Sequence, residues 1–152
     1  IGYAYVEEGH LATPAMAVVP ADIHRHRVTF EQGDAQGLRS DLGSFDVVLL
    51  ANLVDRLRDP GRCLAALPAL VRPGGQLLLT TPCTWLEEYT ARPHWLGGFE
   101  QEGRPVRTLE TLQAVLAPRF ALARTLDLPF LIREHSRKFQ WSVAQATVWI
   151  RR

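Results

Sequence analysis

The chain has 152 residues, 47% of them hydrophobic and 22% charged. These values exclude a disordered tail and fit one domain with no linker dividing it. A formal net charge of +1 leaves no electrostatic footprint for nucleic acid or an anionic membrane. No apolar run approaches the length needed to cross a bilayer, and no signal peptide opens the chain. Lys138 is the single lysine, and Cys63 and Cys83 lie far apart with no metal-type spacing, which predicts a reduced, cytoplasmic compartment. The opening at Ile1, without an initiator methionine or a cap, reads as the start of a fragment.

In chain order, the first element reads as a hairpin. Tyr3 and Tyr5 alternate with small residues, Glu8-Gly9 offers a turn, and Ala15 to Val19 is the candidate partner, held to an edge by Pro14 and Pro20. Arg27 to Glu31 alternates like a strand and ends at Gln32-Gly33-Asp34-Ala35. Phe45-Asp46 leads into the apolar run Val47 to Leu50, a pattern expected of a central, fully buried parallel strand with helices on both faces. Asp59-Pro60 is an N-cap followed by proline at the first helical position. Leu64, Leu67, Leu70 and Val71 recur at helical spacing before Pro73-Gly74-Gly75 stops the helix. Pro68 within it should kink it.

Gln76 to Thr81 is the next buried strand, followed by an aperiodic stretch from Pro82 to Arg107 rich in aromatics, glycine and proline. Thr108 caps a second helix with Leu109, Leu112, Val115 and Leu116 on its apolar face. Two last strands, about Phe120 to Leu126 and Val143 to Ile150, flank the charged stretch Arg133 to Lys138. This order is the back half of a doubly wound α/β sheet. Its terminal antiparallel strand pair is similar to the ending of the class I, Rossmann-like methyltransferase fold. The chain then reads as a single partial domain over residues 1–152, N-terminally truncated, without the first strand, the Gly-rich loop and the second strand.

Ligands of open α/β sheets bind beyond the carboxyl ends of the strands. At one strand end the Asp34 carboxylate can accept from an adenine amino group, and the Ala35 N–H can serve a ring nitrogen. At the other, Ala51 is small enough to let a sulfonium approach, and Asn52 can bond its amino-acid end. Taken singly, Asp34 reads better as a turn residue and Asn52 as a helix cap. No glycine-rich strand–turn–helix motif occurs, so half of such a site is expected upstream of Ile1, and the chain alone is expected to bind S-adenosylmethionine weakly. His24 and His26 could share a strand face as metal ligands, but with no third ligand nearby they read as exposed loop residues, and no metal is expected.

Two further segments are more distinctive. Thr81-Pro-Cys-Thr-Trp-Leu-Glu-Glu-Tyr-Thr90 is followed by Trp95-Leu-Gly-Gly98, and Leu128-Pro-Phe-Leu-Ile-Arg-Glu134 by Arg137-Lys-Phe-Gln140 and Gln145-Ala-Thr-Val-Trp149. Together they resemble the methyltransferase domain of the ovothiol-biosynthesis enzymes, the 4-mercaptohistidine N1-methyltransferases, from about Arg27 to Trp149. Cys83, where that family suggests an aromatic residue, and Pro68 depart from the pattern. The resemblance implies methyl transfer from S-adenosylmethionine to a ring nitrogen of a thiol-bearing histidine. It also implies a 5-histidylcysteine sulfoxide synthase as a frequent fusion partner.

Such a reaction needs the ring proton held on the nitrogen that is not methylated. Glu87, Glu88 and Glu134 are candidate carboxylates for that task. Trp85, Tyr89 and Trp95 offer π faces to a cationic ring, and Arg133 and Arg137 offer guanidinium forks to the substrate carboxylate. The segment Arg133 to Gln140 is expected to fold over the same opening as Glu87 and Glu88. Against these roles, Trp85 and Trp95 also read as covers for the sheet end, and Arg133 to Lys138 as a solvated turn. The alternatives are a methyltransferase for another small molecule and a non-catalytic partial domain serving as an interaction module.

Overall fold

The computed structural model describes residues 1–152, which fall into two compact units. The first comprises Ile1–Gln32 and Pro129–Ser142, the second Gly33–Leu128 and Val143–Arg152.

In the first unit, β1 (Gly2–Glu8) and β2 (Leu11–Met16) form an antiparallel hairpin in which Tyr5 lies opposite Thr13 and Gly2 opposite Met16. Gly9 makes the turn at φ +56°, a left-handed conformation suited to glycine. The return strand is thus Leu11–Met16 and not Ala15 to Val19. It takes in Pro14, which a two-stranded ribbon tolerates because every strand in it is an edge. The Ser136 N–H and hydroxyl donate to the carbonyls of Val6 (3.0 Å) and Glu7 (2.9 Å). Residues 28–31 form no strand. A short 3-10 turn occupies Arg25–Arg27, and Phe30 is 92% exposed. The alternation of Arg27 to Glu31 is real, but a strand exists only where another takes its N–H and C=O groups, and no strand pairs with this stretch.

The second unit is built on a mixed four-stranded sheet in the order β3-β4-β8-β7, whose last two strands continue into the first unit over residues 129–142. Its strands are β3 (Phe45–Ala51), β4 (Val71–Thr81), β7 (Phe120–His135) and β8 (Lys138–Arg151). β3 and β4 are parallel, joined through α1 (Pro60–Leu70). β4 and β8 are antiparallel, with Leu77 opposite Trp149 and Thr81 opposite Gln145. α1 begins as its sequence dictates, Asp59 Oδ1 accepting the Arg62 N–H at 3.0 Å ahead of Pro60. Pro68 lies within it. α2 (Thr108–Leu116) begins one residue past its N-cap, Arg107, whose N–H donates to Glu110 at 3.3 Å. Thr108 is therefore the first helical residue and not the cap.

Buried residues of both helices (Leu64, Leu67, Leu112 and Leu116) join Leu50, Leu77, Leu79, Phe120 and Trp149 in one core. Along β4, Leu77, Leu79 and Thr81 are buried while Gln76 is exposed and Leu78 and Thr80 are half-buried, so one face of the sheet carries the core. β3 is an edge strand and not the central, fully buried one. Only Leu50 is buried in it, and Val47 and Leu49 are 50% and 60% exposed. Alternation along a strand sends Val48 and Leu50 to the packed face and Val47 and Leu49 to the other.

The last two strands run well past Leu126 and start well before Val143, meeting at Ser136-Arg137. That two-residue connection makes them a hairpin and hence antiparallel. Between β4 and α2 the aperiodic stretch holds a small hairpin, β5 (Phe99–Gln101) with β6 (Arg104–Val106). Glu102 and Gly103 turn it, both at positive φ, as a two-residue hairpin loop requires.

Candidate functional site

The carboxyl ends of β3 and β4 are where backbone geometry becomes unusual. Asn52, directly after β3, has φ +50°, and Cys83, two residues after β4, has φ +55°. Non-glycine residues rarely adopt this region, and they concentrate where loops are held for function. Asn52 is held by Thr80. Its N–H donates to the Thr80 carbonyl (2.9 Å) and hydroxyl (3.0 Å), and the Thr80 hydroxyl donates back to Asn52 Oδ1 at 2.8 Å. The side-chain NH2 of Asn52 remains available to a ligand. Asn52 therefore does not cap a helix; it is a fixed left-handed residue at a strand end, beside Ala51.

Asp34 makes the turn that its sequence context suggests. Its Oδ1 accepts from the Gln36 N–H (2.9 Å) and side chain (3.3 Å). These bonds, with smaller contributions from Arg62 and Arg58, hold its carboxyl below the ordinary value. Oδ2 takes no part in the turn. Ala35 packs against the core. Asp34 thus sits in an irregular turn and not at the end of a strand.

Beyond β4, the segment 84–96 packs tightly. Trp85 is 7% exposed and donates its indole N–H to the Thr108 hydroxyl at 2.9 Å. Trp95 stacks on it with centroids 6.4 Å apart and donates to the Thr90 carbonyl at 2.7 Å. Thr90, fully buried, donates to the Leu57 carbonyl at 2.5 Å. Both tryptophans therefore cover the sheet end. Glu87, Glu88 and Tyr89 are exposed. The Glu88 carboxylate, by hydrogen bond and charge, raises the Tyr89 phenol above its ordinary value, with Arg56 opposing. The Arg56 guanidinium lies 4.9 Å from the Tyr89 ring centre.

A cavity of about 580 Å³ opens at this end of β4, walled by Thr81, Cys83, Trp85, Arg107, Asp127 and Gln145, among others. Its size falls in the range of small-molecule sites, roughly 300–1,000 Å³. Of the residues assigned to the acceptor from the sequence, Trp85 lines it and Glu87, Glu88, Tyr89 and Trp95 do not. Asp127 and Glu100 do, and nothing in their sequence context distinguished them from other surface carboxylates.

Arg133, Glu134 and Arg137 belong to the first unit. There the Arg133 guanidinium lies 4.1 Å from the Tyr5 ring centre, Glu134 pairs with Lys138, and the Arg137 N–H donates to His135 Nδ1 at 3.2 Å. Arg133 to Lys138 is strand and turn, spanning the end of β7, the Ser136-Arg137 connection and the start of β8. The rings of His24 and His26 meet edge-on, 5.6 Å apart. No helix is long and apolar enough to cross a membrane.

Comparison with solved structures finds the same fold at low identity. The chain superposes with a TM-score of 0.54 and 16% identity on a structure described under the conversion of a disulfide bond into a thioacetal group during echinomycin biosynthesis, covering 80% of this chain and 55% of that one. It superposes with a TM-score of 0.50 and 17% identity on a SAM-dependent methyltransferase from Methanosarcina mazei, covering 78% of this chain and 64% of that one. The chain thus spans less than two thirds of the length of these structures. Comparison with curated proteins finds no match. The fold is that of the class I S-adenosylmethionine-dependent methyltransferases. The model of the methyltransferase domain matches residues 6–119, three quarters of the sequence, and the chain belongs to that family.

Proposed function

We propose that the chain is part of an S-adenosylmethionine-dependent methyltransferase whose acceptor is the imidazole of a thiol-bearing histidine, as in ovothiol formation. The observation that carries the methyltransferase reading is the pair of left-handed residues, Asn52 and Cys83, fixed at adjacent strand ends, with Cys83 lining a cavity of small-molecule size. The acceptor is supported by the resemblance of the segments around Trp85 and Arg133 to the ovothiol enzymes.

The residues present suit part of the cofactor. Asp34 is an ionised acceptor with Oδ2 outside its own turn, suited to an adenine amino group. Asn52 presents an amide to the amino-acid end, and Ala51 offers no bulk. When bound, S-adenosylmethionine supplies an electrophilic methyl group. The chain's own task is to select the attacking atom. A thiolate competes with the ring nitrogens, so holding the ring decides the product. A carboxylate that accepts the ring N–H keeps a lone pair on the other nitrogen. Glu87 and Glu88 stand beside the cavity-lining Trp85 in sequence, and Glu134 is the third candidate. Tyr89 and Trp95 offer π faces to the ring as it becomes cationic, and Arg133 and Arg137 suit the substrate carboxylate. A sulfoxide synthase that makes the thiol-bearing histidine is the expected partner.

The test uses the full protein from which this chain derives, with isotopically labelled methyl donor. Transfer to a ring nitrogen of 5-thiohistidine, with the thiol left free and plain histidine a poor acceptor, is the expected result. Equal transfer to plain histidine would refute the acceptor, and no transfer to any imidazole would refute the class.

A further inference from the structure

We propose that Asp55 and Arg56 are positioning residues for the methyl acceptor: a clamp, buried at its Asp55 end, that fixes the turn after β4 and so presents Trp85 to the cavity. The proposal deepens the methyltransferase reading and rests on it. Asp55 and Arg56 lie in a 3-10 turn, Val54–Arg56, shortly after β3. Across 29 positions of sequence, Asp55 Oδ2 accepts the Thr84 N–H at 3.0 Å. Arg56 donates to the Thr84 carbonyl at 2.7 Å, and also to Asp55 Oδ2 at 3.1 Å and the Asp55 carbonyl at 2.9 Å. Both backbone polar groups of Thr84 are thereby held by two adjacent side chains. Just before Thr84, the Cys83 N–H is held by the buried Thr81 hydroxyl at 3.0 Å, in the left-handed conformation that needs such support. Just after it, Trp85 turns inward to Thr108. Further on, the Arg56 guanidinium covers the Tyr89 ring. One ion pair thus governs the start and the far side of the segment that carries Trp85.

The energetics argue that this pair is present for more than stability. Asp55 is 0% exposed, and its Oδ1 is buried without a hydrogen-bond partner. Burying a carboxylate with one oxygen unpaired costs folding free energy. Violations of this kind are expected where a fold serves a site. The clamp also links the loop after β3, where the Asn52 amide is offered to the cofactor, to the loop after β4, where the acceptor cavity opens. Its loss should therefore move the acceptor wall and leave the cofactor's strand end, which Thr80 holds independently.

The experiment compares Arg56→Ala and Arg56→Lys with wild type in the full protein, and Asp55→Asn as a second perturbation of the same clamp. For each, amide hydrogen exchange is followed over residues 84–90, S-adenosylmethionine affinity is measured by calorimetry, and turnover is measured with 5-thiohistidine. In Arg56→Ala the amides of 84–90 should exchange faster while β4 and α1 stay protected. The KM for 5-thiohistidine should rise about tenfold with cofactor affinity changed less than about twofold. The lysine variant, which keeps a cation with several donors, should restore much of both. Unchanged exchange at 84–90, or equal losses of cofactor and acceptor affinity, would overturn the clamp. If wild type transfers no methyl group to 5-thiohistidine, the functional reading fails separately, and the exchange result alone still decides whether Asp55 and Arg56 hold the loop.

Discussion

Gly97 offers a sharp test of how the loop beyond β4 is seated. It is buried between Leu96 and Gly98 at the entry to β5, where its Cα rests on the start of α2. A Cβ added there would collide with the Thr108 N, and would lie 2.6 Å from the Arg107 carbonyl carbon and 2.8 Å from the Thr108 Cα. All three are backbone atoms of a helix start, so no side-chain rotation relieves the clash. Either the 96–98 segment or the first turn of α2 must shift. Overpacking of this kind costs about 1–3 kcal/mol. Movement of Thr108 also endangers its hydrogen bond from Trp85, worth about 1 kcal/mol more. For a chain of this size each kcal/mol is roughly 2–4 °C, so Gly97→Ala should lower Tm by roughly 2–16 °C. Gly33→Ala, where a Cβ meets nothing within 4 Å, is the control and should change Tm little. Thermal unfolding followed by tryptophan fluorescence reads both. A Gly97→Ala protein as stable as wild type, with the Trp85 indole resonance unmoved, would refute the close approach of this loop to α2.

The remaining predictions concern single groups. Native protein should react with a thiol reagent at the exposed Cys83 and only on unfolding at Cys63, which is 3% exposed and whose thiol is raised above its ordinary value first by burial and then by Asp34. Because the folded state favours the neutral thiol of Cys63, its contribution to stability is full below the ordinary thiol value and is lost as pH rises through the raised one. A pH series of unfolding midpoints showing no alkaline decline in wild type relative to Cys63→Ala would contradict this. Glu88→Gln should lower the Tyr89 titration toward the ordinary phenol value, since the Glu88 hydrogen bond and charge raise it. Phenolate absorbance against pH measures the shift, and an unmoved curve would place Glu88 away from the ring. In the full protein the same variant should lower methyl transfer and spare cofactor affinity if Glu88 holds the acceptor ring. Thr80→Val removes the hydroxyl that both donates to and accepts from Asn52, leaving the carbonyl contact. It should cost about 1 kcal/mol in urea unfolding, and an unchanged midpoint would mean that the hydroxyl does not hold Asn52.

What the residues alone determined were the features set by a few neighbours in sequence. Asp59-Pro60 specified where α1 begins, because an N-cap and a fixed proline φ act within one turn. The turn at Glu8-Gly9, the run Phe45 to Leu50 as a strand, and the order strand, helix, strand, helix, paired strands were legible for the same reason, and that order was enough to name the fold class. Tertiary structure alone decided which strand sits at an edge. The run Val47 to Leu50 has the composition of a central strand, yet exposure depends on what lies beside and over it, and half its side chains face outward. It decided that Arg27 to Glu31 stays unpaired despite its alternation, since a strand is a property of two chains. It turned the charged stretch Arg133 to Lys138 into the end of a long hairpin, where pairing outweighs composition. Asp55 shows the limit most clearly. Within Val-Asp-Arg-Leu-Arg-Asp-Pro it reads as one more surface acid, yet the fold buries it completely and brings the Thr84 N–H to it from 29 positions away.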